Sequence, residues 1–395
     1  MRLLERGDKQ AALALSRIAF GGEPMPPPGA GDPLPALCRY GAFDPTGGLL
    51  AKASEWDQRQ WFGGRPVSVA GVAGVAVAPE ARSTGLARTL LRHLLGEARD
   101  RGAVLASLFA TAPQLYRGLG FEHVGTLATW RFPAPALARV RMPGDVTLRA
   151  ASPDSPADAA AVRAVYDAVA QAGNGMAVRE APRFDVSPAS VIGGHDGVSL
   201  AVGPGHQVEG YCSWHRGRGY SPDAVLRVDE LLATTGRATT AFLAMLGSWA
   251  SVTPSVVLRL PPVDAVDLLL PDRARIEESS EPWMLRVLDA EAAIAARGWP
   301  APVRGSADLT LAPDDLLGLP GRTYRLVVED GAGRLEAGGS GALRLHRRGL
   351  AVLFAGFAGT AVLRRAGLLE GSDNSSAAVL DAAFAGPTPA LLDYF

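Results

Sequence analysis

The fold is decided by the stretch Gly74-Val75-Ala76-Val77-Ala78-Pro79-Glu80-Ala81-Arg82-Ser83-Thr84-Gly85-Leu86-Ala87-Arg88-Thr89-Leu90-Leu91. Residues 67–78, which run into it, are apolar or Gly apart from one Ser and carry no charge, which predicts a buried strand. Pro79 ends this strand because proline cannot donate a hydrogen bond to a neighbouring strand. Beyond Thr84 the leucines recur at helical spacing, which predicts a helix over residues 84–101.

The turn between this strand and this helix has the composition of a phosphate-binding turn. It reads Arg82-x-x-Gly85-x-Ala87, with small residues where a backbone must approach another group closely. The N-terminus of the following helix offers unpaired N–H groups and the positive end of its dipole, which suit a phosphate. The pattern by itself is equally compatible with a plain strand–helix connection, so the sequence beyond it must decide.

A second motif follows at a fixed distance. An apolar strand is predicted at 104–110, and Pro113 and Gly120 are suited to the first turn and the C-terminal cap of a short helix that contains Tyr116. The order strand, R-x-x-G-x-A, helix, strand and L-Y-x-x-x-G-F resembles the GNAT superfamily of N-acetyltransferases.

This resemblance implies a site for acetyl-CoA as co-substrate. The thioester would bond to backbone N–H groups of Val75, Ala76 and Val77. The pyrophosphate would lie on the backbone of the turn, formed by Arg82, Ser83, Thr84, Gly85, Leu86 and Ala87.

Composition limits the partners. The 39 basic and 40 acidic side chains nearly balance, so neither nucleic acid nor an anionic membrane surface is expected as a partner. The two cysteines, Cys38 and Cys212, match no metal or redox spacing, so we expect inert thiols, a reducing compartment and no metal. The N-terminal residues contain no long apolar run, which predicts a cytoplasmic protein without a signal peptide.

A chain of 395 residues should hold more than one domain. We predict domains at 1–143, 144–282 and 283–395. The second echoes the element order of the first but lacks both motifs, so it is expected to be a degenerate copy. The third carries an apolar face at Leu353, Phe354 and Phe357 that resembles sterol-carrier proteins; a lipid pocket and a packed core are both compatible with it. The predicted fold class is α/β (α+β), with tandem GNAT domains, the first active and the second degenerate, followed by a sterol-carrier-protein-like α/β domain.

With three such units in this order, the chain is similar to the Eis (enhanced intracellular survival) acetyltransferases over essentially its full length. The resemblance rests on the domain order, on Trp283-Met284-Leu285-Arg286 and on the final residues Leu391-Leu392-Asp393-Tyr394-Phe395. It implies a homo-oligomer, specifically a hexamer.

Acyl transfer to an amine requires few groups. The amine must lose its proton to a base, the tetrahedral oxyanion needs N–H donors, and the leaving thiolate benefits from an acid. Tyr116 matches the general acid of the family, although a tyrosine there also serves as a buried filler. The resemblance assigns the base to the α-carboxylate of Phe395, although chain ends are normally frayed.

The acceptor is less defined. Glu23 and Asp393 are candidate substrate-binding carboxylates, and Glu23 can also be a solvated loop residue. Members that modify aminoglycosides carry an acidic residue before the final Phe, whereas this chain has Tyr394. An aminoglycoside-like amine and a less charged specialised metabolite are equally compatible as substrates of this predicted acetyl-CoA-dependent N-acyltransferase. The alternatives are a protein lysine acetyltransferase and a non-catalytic CoA- or lipid-binding protein.

Overall fold

A computed structural model describes residues 1–22, 34–220, 223–261, 263–270 and 275–395. The chain packs into two compact units. The first consists of Met1–Val124, Trp283–Gly386 and Tyr394–Phe395, and the second of Gly125–Pro282 and Pro387–Asp393. Within those described ranges, no helix has both the length and the apolar character that a membrane crossing demands.

The first unit begins with a mixed sheet and helices on its faces. The strands are β1 (Arg2–Leu3), β2 (Leu37–Phe43), β3 (Leu49–Phe62), β4 (Arg65–Val77) and β5 (Leu105–Phe109). The helices are α1 (Lys9–Phe20), α2 (Leu86–Asp100) and α3 (Pro113–Arg117). Strands β1 to β4 pair antiparallel in sequence order, and β5 joins β4 in parallel.

The second unit also consists of a sheet with helices. Its strands are β6 (Glu122–Pro133), β7 (Thr147–Ala150), β8 (Gly197–Val202), β9 (Val208–Arg216), β10 (Val225–Ala233), β11 (Ser255–Leu260) and β12 (Ile276–Val287), of which β6 begins and β12 ends in the first unit. Its helices are α4 (Ala134–Leu137), α5 (Pro156–Ala172), α6 (Pro188–Val191), α7 (Gly236–Gly247) and α8 (Ala265–Leu269). The strand order is β6-β11-β10-β9-β8-β7.

The remaining residues return to the first unit. They form β13 (Gly305–Leu311), β14 (Arg322–Glu329), β15 (Ala332–Ala337), β16 (Leu343–Leu345) and β17 (Leu369–Glu370), together with α9 (Ala290–Ala296), α10 (Arg347–Ala355), α11 (Thr360–Arg365) and α12 (Asn374–Phe384). These strands make a separate five-stranded sheet in the order β15-β14-β13-β16-β17. In addition, Trp283–Val287 of β12 pairs antiparallel with β5 and extends the first sheet.

The core of the first sheet is built by the leucine stripe that the sequence predicts. Helix α2 buries Leu90, Leu91, Leu94 and Leu95 completely, and Met284 of β12 lies in the same cluster. Residues 67–72 of β4 are buried apart from the half-buried Ser68, because there the strand has neighbours on both sides and a helix across its face. Beyond them the predicted burial is only partial: Gly74 is exposed and the other residues to Val77, except Ala76, are half-buried. The packing therefore fixes the strand–turn–helix that carries the candidate site.

The bounds of one predicted helix differ slightly from the structure. Helix α2, predicted over residues 84–101, begins at Leu86 and ends at Asp100, a shift of one or two residues at each end. Gly120 caps the helix of Tyr116 as predicted. It has φ +84°, its N–H donates to the Arg117 carbonyl, and the Phe121 N–H donates to the Tyr116 carbonyl, which is the Schellman pattern of a C-terminal glycine. The predicted domain boundaries stay predictions.

Candidate active site

The site is built around the opening between β4 and β5. Among the described residues, the two strands pair only over Val69–Gly71 and Leu105–Ser107, although β4 continues to Val77. Beyond Gly71 the backbone of β4 is therefore released from β5 on that side. This leaves a groove with the polar groups of a strand edge along one wall.

A bulge in β4 lies within this open part. Lys52 pairs with Ala76 and Ser54 with Ala73, so the single residue between them on β3 faces both Gly74 and Val75. Gly74 has φ +56°, in the left-handed region that side chains disfavour. A bulge of this kind bends a strand and re-aims its groups, which suits a strand that must present N–H donors to a ligand.

The turn after β4 is exposed and shaped by two left-handed residues. Ser83 has φ +62° and Gly85 has φ +81°, and the Thr84 hydroxyl donates to the Ala81 carbonyl at 2.7 Å. Among the described residues no side chain caps the N-terminus of α2. The N–H groups of its first turn, including those of Leu86 and Ala87, therefore point out of the protein and can receive an anion.

Gly85 is required by the backbone rather than by crowding. A Cβ built there meets no protein atom within 4 Å, yet the positive φ disfavours any side chain. The space in front of Gly85 is open, which is the shape needed for a ligand that approaches the backbone closely.

Tyr116 lies in the core of the first unit at the edge of this site. It is 7% exposed, meets the ring of Phe121 edge to face at 6.0 Å, and shares its cluster with Val72 of β4. Val75 and Val77 pack against the same cluster, as does Leu86. Burial raises the pKa of the Tyr116 phenol to about 12 because the charged phenolate would lose its hydration. The hydroxyl is therefore a proton donor throughout the neutral range.

The last two residues lie at the point where β4 and β5 separate. The Tyr394 ring stacks on Phe109, with centroids 4.9 Å apart, and the Phe395 ring meets Phe109 at 5.7 Å. A Cβ added to Gly71 would lie 3.1 Å from the Phe395 ring. Phe109 ends β5 and Gly71 is the last residue of β4 that pairs with β5, so Phe395 sits at the apex of the groove.

The structure describes only one of the two carboxylates predicted to bind the substrate. Asp393 belongs to the second unit, where its carboxylate accepts hydrogen bonds from the Tyr166 hydroxyl at 3.0 Å and from the Arg179 guanidinium at 2.9 and 3.0 Å. Arg179 also pairs with Glu230. These contacts anchor Asp393, and its contact with a substrate stays a prediction. Glu23 lies outside the described residues.

A cavity of about 610 Å³ beside β3 was not predicted from the sequence. Among the described residues, five charged side chains line it: Glu5 and four cations, Arg6, Lys9, Arg39 and Lys52. Lys52 Nζ lies 3.5 Å from the position that a Cβ on Gly74 would occupy. Burial, helped by Arg39, lowers the pKa of the Lys52 ammonium to about 8. The one signal in the sequence was a lysine inside the apolar run Leu49–Ala53.

A buried ion pair supports the helix of Tyr116 and was also missed. Arg286 of β12 donates to the Leu119 carbonyl and, at 2.6 Å, to the Asp314 carboxylate. A Cβ at Gly120 would collide with this guanidinium, which explains the glycine. The sequence indicated Arg286 through the motif Trp283-Met284-Leu285-Arg286, but its partner Asp314 had no local signal.

Comparisons with known proteins agree with this architecture. Acetyltransferase (GNAT) domain models match residues 1–124 and 175–287, and a sterol carrier protein domain model matches residues 290–392. The predicted order of two GNAT domains followed by a sterol-carrier-like domain is therefore confirmed.

Individual proteins match as well. An uncharacterized N-acetyltransferase of Streptomyces coelicolor is 30% identical over 256 residues, which cover 61% of this chain and 60% of that relative. The crystal structure of Eis1 from Mycobacterium abscessus, 24% identical, covers 100% of this chain and 99% of its own with a TM-score of 0.77. This likeness confirms the predicted Eis-like architecture at the level of the fold.

The crystal structure of a GCN5-related N-acetyltransferase from Kribbella flavida is 31% identical, covers 100% of this chain and 98% of its own, and has a TM-score of 0.81. The match extends over the whole chain. The chain therefore belongs to the GCN5-related N-acetyltransferase family and is a GNAT-type acetyltransferase.

Proposed function

We propose that this enzyme transfers the acetyl group of acetyl-CoA to the amine of a small molecule that carries little positive charge. The observation that carries the proposal is the opening of β4 from β5 beyond Gly71, with Phe395 at its apex. Such a groove suits the extended arm of acetyl-CoA, because the released strand can pair with its amide groups as a neighbouring strand would.

The turn after β4 supports the phosphate end of this site. Backbone N–H groups from Arg82 to Ala87 bind the pyrophosphate, and the uncapped N-terminus of α2 adds its dipole. The bulged segment Val75–Val77 directs N–H groups at the thioester carbonyl, whose oxygen becomes negative in the tetrahedral state.

Tyr116 acts as the general acid in this proposal. Its hydroxyl stays protonated because its pKa is raised to about 12. Complete transfer of this proton to a thiolate of ordinary pKa, about 8.5, is uphill. The contribution of the hydroxyl is therefore a hydrogen bond that strengthens as the thiolate charge develops, and CoA leaves as the thiolate and takes its proton from solvent.

The base in this proposal is the α-carboxylate of Phe395, which the family resemblance assigns. The support is the packing of its ring against Gly71 and Phe109, which holds the residue at the apex of the groove. An anchored carboxylate there accepts the proton of the attacking amine, directly or through a water.

The acceptor class follows from charge. The described lining of the cavity beside β3 carries four cationic side chains and one anionic side chain, next to the bulge at Gly74. A polycationic aminoglycoside is repelled by such a surface, whereas a neutral or acidic amine is not. A cytoplasmic hexamer remains the expectation from the sequence.

The test is acetyl-CoA-dependent acetylation of a panel of amines, followed through the released thiol. We expect a neutral or acidic primary amine to be acetylated with a kcat/KM at least about tenfold above that of an aminoglycoside. Gly85→Asp should weaken acetyl-CoA binding by about tenfold or more, because it adds a charge beside the phosphates. Gly102→Asp, at another open position with positive φ, is the matched control and should bind normally.

Each of the following outcomes would contradict one part of the proposed function. Acetylation of lysine peptides alone supports a protein acetyltransferase instead. Calorimetric binding of acetyl-CoA with no thiol release for any amine supports the non-catalytic alternative. Preference for the aminoglycoside overturns the acceptor class, and normal binding by a folded Gly85→Asp variant overturns the phosphate site.

A further inference from the structure

Two histidines and an aspartate of the second unit converge far from any motif in the sequence. Nδ1 of His195 lies 2.9 Å and Nε2 of His215 lies 3.0 Å from the same carboxylate oxygen, Oδ2 of Asp229. The three donor atoms all lie within 4.8 Å of one another, and all three residues are half-buried. Within the described part of the chain, no other three His, Cys, Asp or Glu side chains come together as closely.

The fold makes this convergence through a bulge in β10. Val228 pairs with Trp214 and Glu230 with Ser213, so Asp229 is an extra residue without a direct partner. Val228 and Leu231, on either side, both pack into the core of the second unit, so Asp229 and Glu230 together turn away from that core. The bulge thus directs the carboxylate toward His215 on the neighbouring strand β9.

His195 reaches the same point from the turn that precedes β8. Gly197, two residues later, pairs with Trp214, the residue beside His215. The three groups therefore come from three adjacent elements of one sheet, and their relative positions are fixed by backbone pairing.

A second carboxylate faces the far side of one histidine. Nδ1 of His215, the nitrogen turned away from Asp229, lies 4.0 Å from Asp196 Oδ2. That oxygen is held by the backbone N–H of Arg216 at 2.7 Å. A carboxylate behind a histidine is the arrangement that orients metal-ligating imidazoles and raises their basicity.

The donor set and spacing suit a transition-metal ion. Two imidazoles and one carboxylate are ligands of zinc sites that keep a fourth position for solvent. Ligand atoms about 2.0–2.1 Å from a tetrahedral ion lie roughly 3.3 Å apart. The separations of 2.9 and 3.0 Å from the carboxylate oxygen need to widen by a few tenths of an ångström. The two imidazole nitrogens lie within 4.8 Å of each other, and side-chain rotation has to bring them to about the same 3.3 Å.

We propose that His195, His215 and Asp229 form a binding site for one divalent transition-metal ion of zinc type in the second unit. Such an ion connects the turn before β8 with β9 and β10 through three side chains that at present share one carboxylate oxygen. The site takes no part in the acetyl transfer proposed above and does not depend on that proposal.

The test uses the full chain after removal of metal with a chelator. Titration with Co²⁺ should produce visible absorption bands of a low-coordinate site, and Zn²⁺ should bind at one ion per chain and raise the melting temperature by several degrees. Asp229→Asn keeps the shape of the side chain and should weaken Zn²⁺ binding by about a hundredfold or more, as should His195→Ala.

Two further variants sharpen the test. His206→Asn changes a histidine outside the cluster, at φ +61° where asparagine is tolerated, and should bind Zn²⁺ as the wild type does. Arg259→Met removes a positive charge that acts on Asp229 and should tighten binding by a few-fold.

The outcomes separate a metal site from a hydrogen-bonded trio. Absence of stoichiometric Zn²⁺ binding by the wild type overturns the proposal and leaves two imidazoles that share one carboxylate. Binding that is equally tight in the Asp229→Asn variant overturns it too, because the ion then lies elsewhere. Circular dichroism of each variant distinguishes loss of the site from loss of the fold.

Discussion

Tyr116 combines a structural and a chemical property in one side chain. Its ring fills the core beside Phe121, and the same burial raises the pKa of its hydroxyl to about 12. A buried filler would need only the ring. The hydroxyl is the part that the proposed chemistry uses, so removing it alone separates the two roles.

Tyr116→Phe should therefore lower kcat by roughly a hundredfold with little change in acetyl-CoA affinity. Because the active form is protonated and its pKa is about 12, no loss of activity below pH about 11 should trace to this residue. Steady-state kinetics across pH, with calorimetry for acetyl-CoA, measure both. Tyr324→Phe, at another buried tyrosine of the first unit, is the control. An unchanged kcat, with chemistry rate-limiting, would assign the acid to another group.

The role of a single residue can be predicted from the sequence in some cases and not in others. Gly85 and Tyr116 stand inside motifs whose spacing is local, so both could be singled out. Lys52 has only its place in an apolar run as a signal, which does not reveal the lowered pKa of its ammonium group. Asp314 pairs with Arg286, 28 residues away, and no local pattern indicates it. Asp393 was singled out, but its anchoring by Arg179, 214 residues away, could not be predicted.

At the scale of elements, the C-terminal segment links two sets of contacts. Residues 387–393 pack with the second unit, through Asp393 on Arg179 and the Ala390 N–H on the Asn174 carbonyl. Tyr394 and Phe395 pack in the first unit on Phe109. A segment with buried partners along its length is not the frayed end that chain termini usually form.

Changes at the end of this segment should affect turnover and spare acetyl-CoA binding. A tag fused after Phe395 replaces the carboxylate by an amide, and deletion of Phe395 withdraws the carboxylate by about 3.3–3.6 Å. Both should lower kcat by a hundredfold or more, since a misplacement of about 1 Å can cost that much. Phe395→Ala keeps the carboxylate and should be milder. A tag fused after Phe395 that is as active as one before Met1 would exclude the carboxylate as base.

For the whole molecule, the domain order was predictable because the first domain carries local motifs, the second echoes its element order, and the third has an apolar face of its own. The strand–turn–helix at 67–101 and the apolar periodicities are such signals, and the family models confirm the order. The pairing of Trp283–Val287 with β5 was not predicted. The apolar pattern of a strand does not determine which other strand it pairs with. Pairings between segments that are distant in the sequence therefore become known only from the structure.

Because β12 pairs with β5, we expect that the first predicted domain, residues 1–143, does not fold stably on its own. A chain ending at residue 143 lacks β12, so it exposes the edge of β5 and the part of the core that Met284 fills. Exposed apolar edges pair with other chains, so we expect this fragment to aggregate while the full chain is soluble. Size-exclusion chromatography and acetyl-CoA calorimetry measure this. A soluble, monomeric fragment that binds acetyl-CoA would contradict the prediction.

Because β12 is synthesised long after β5, the edge of β5 stays unpaired during part of translation. A ribosome that has finished β5 must add about 170 residues before the partner strand exists, which takes roughly 10–30 seconds at 5–20 residues per second. During that interval Ala106 and Leu108, buried in the finished enzyme, belong to an unpaired edge on a nascent chain. Slower translation of the residues between β5 and β12, or fewer ribosome-associated chaperones, should therefore reduce the yield of folded enzyme without any change in its sequence.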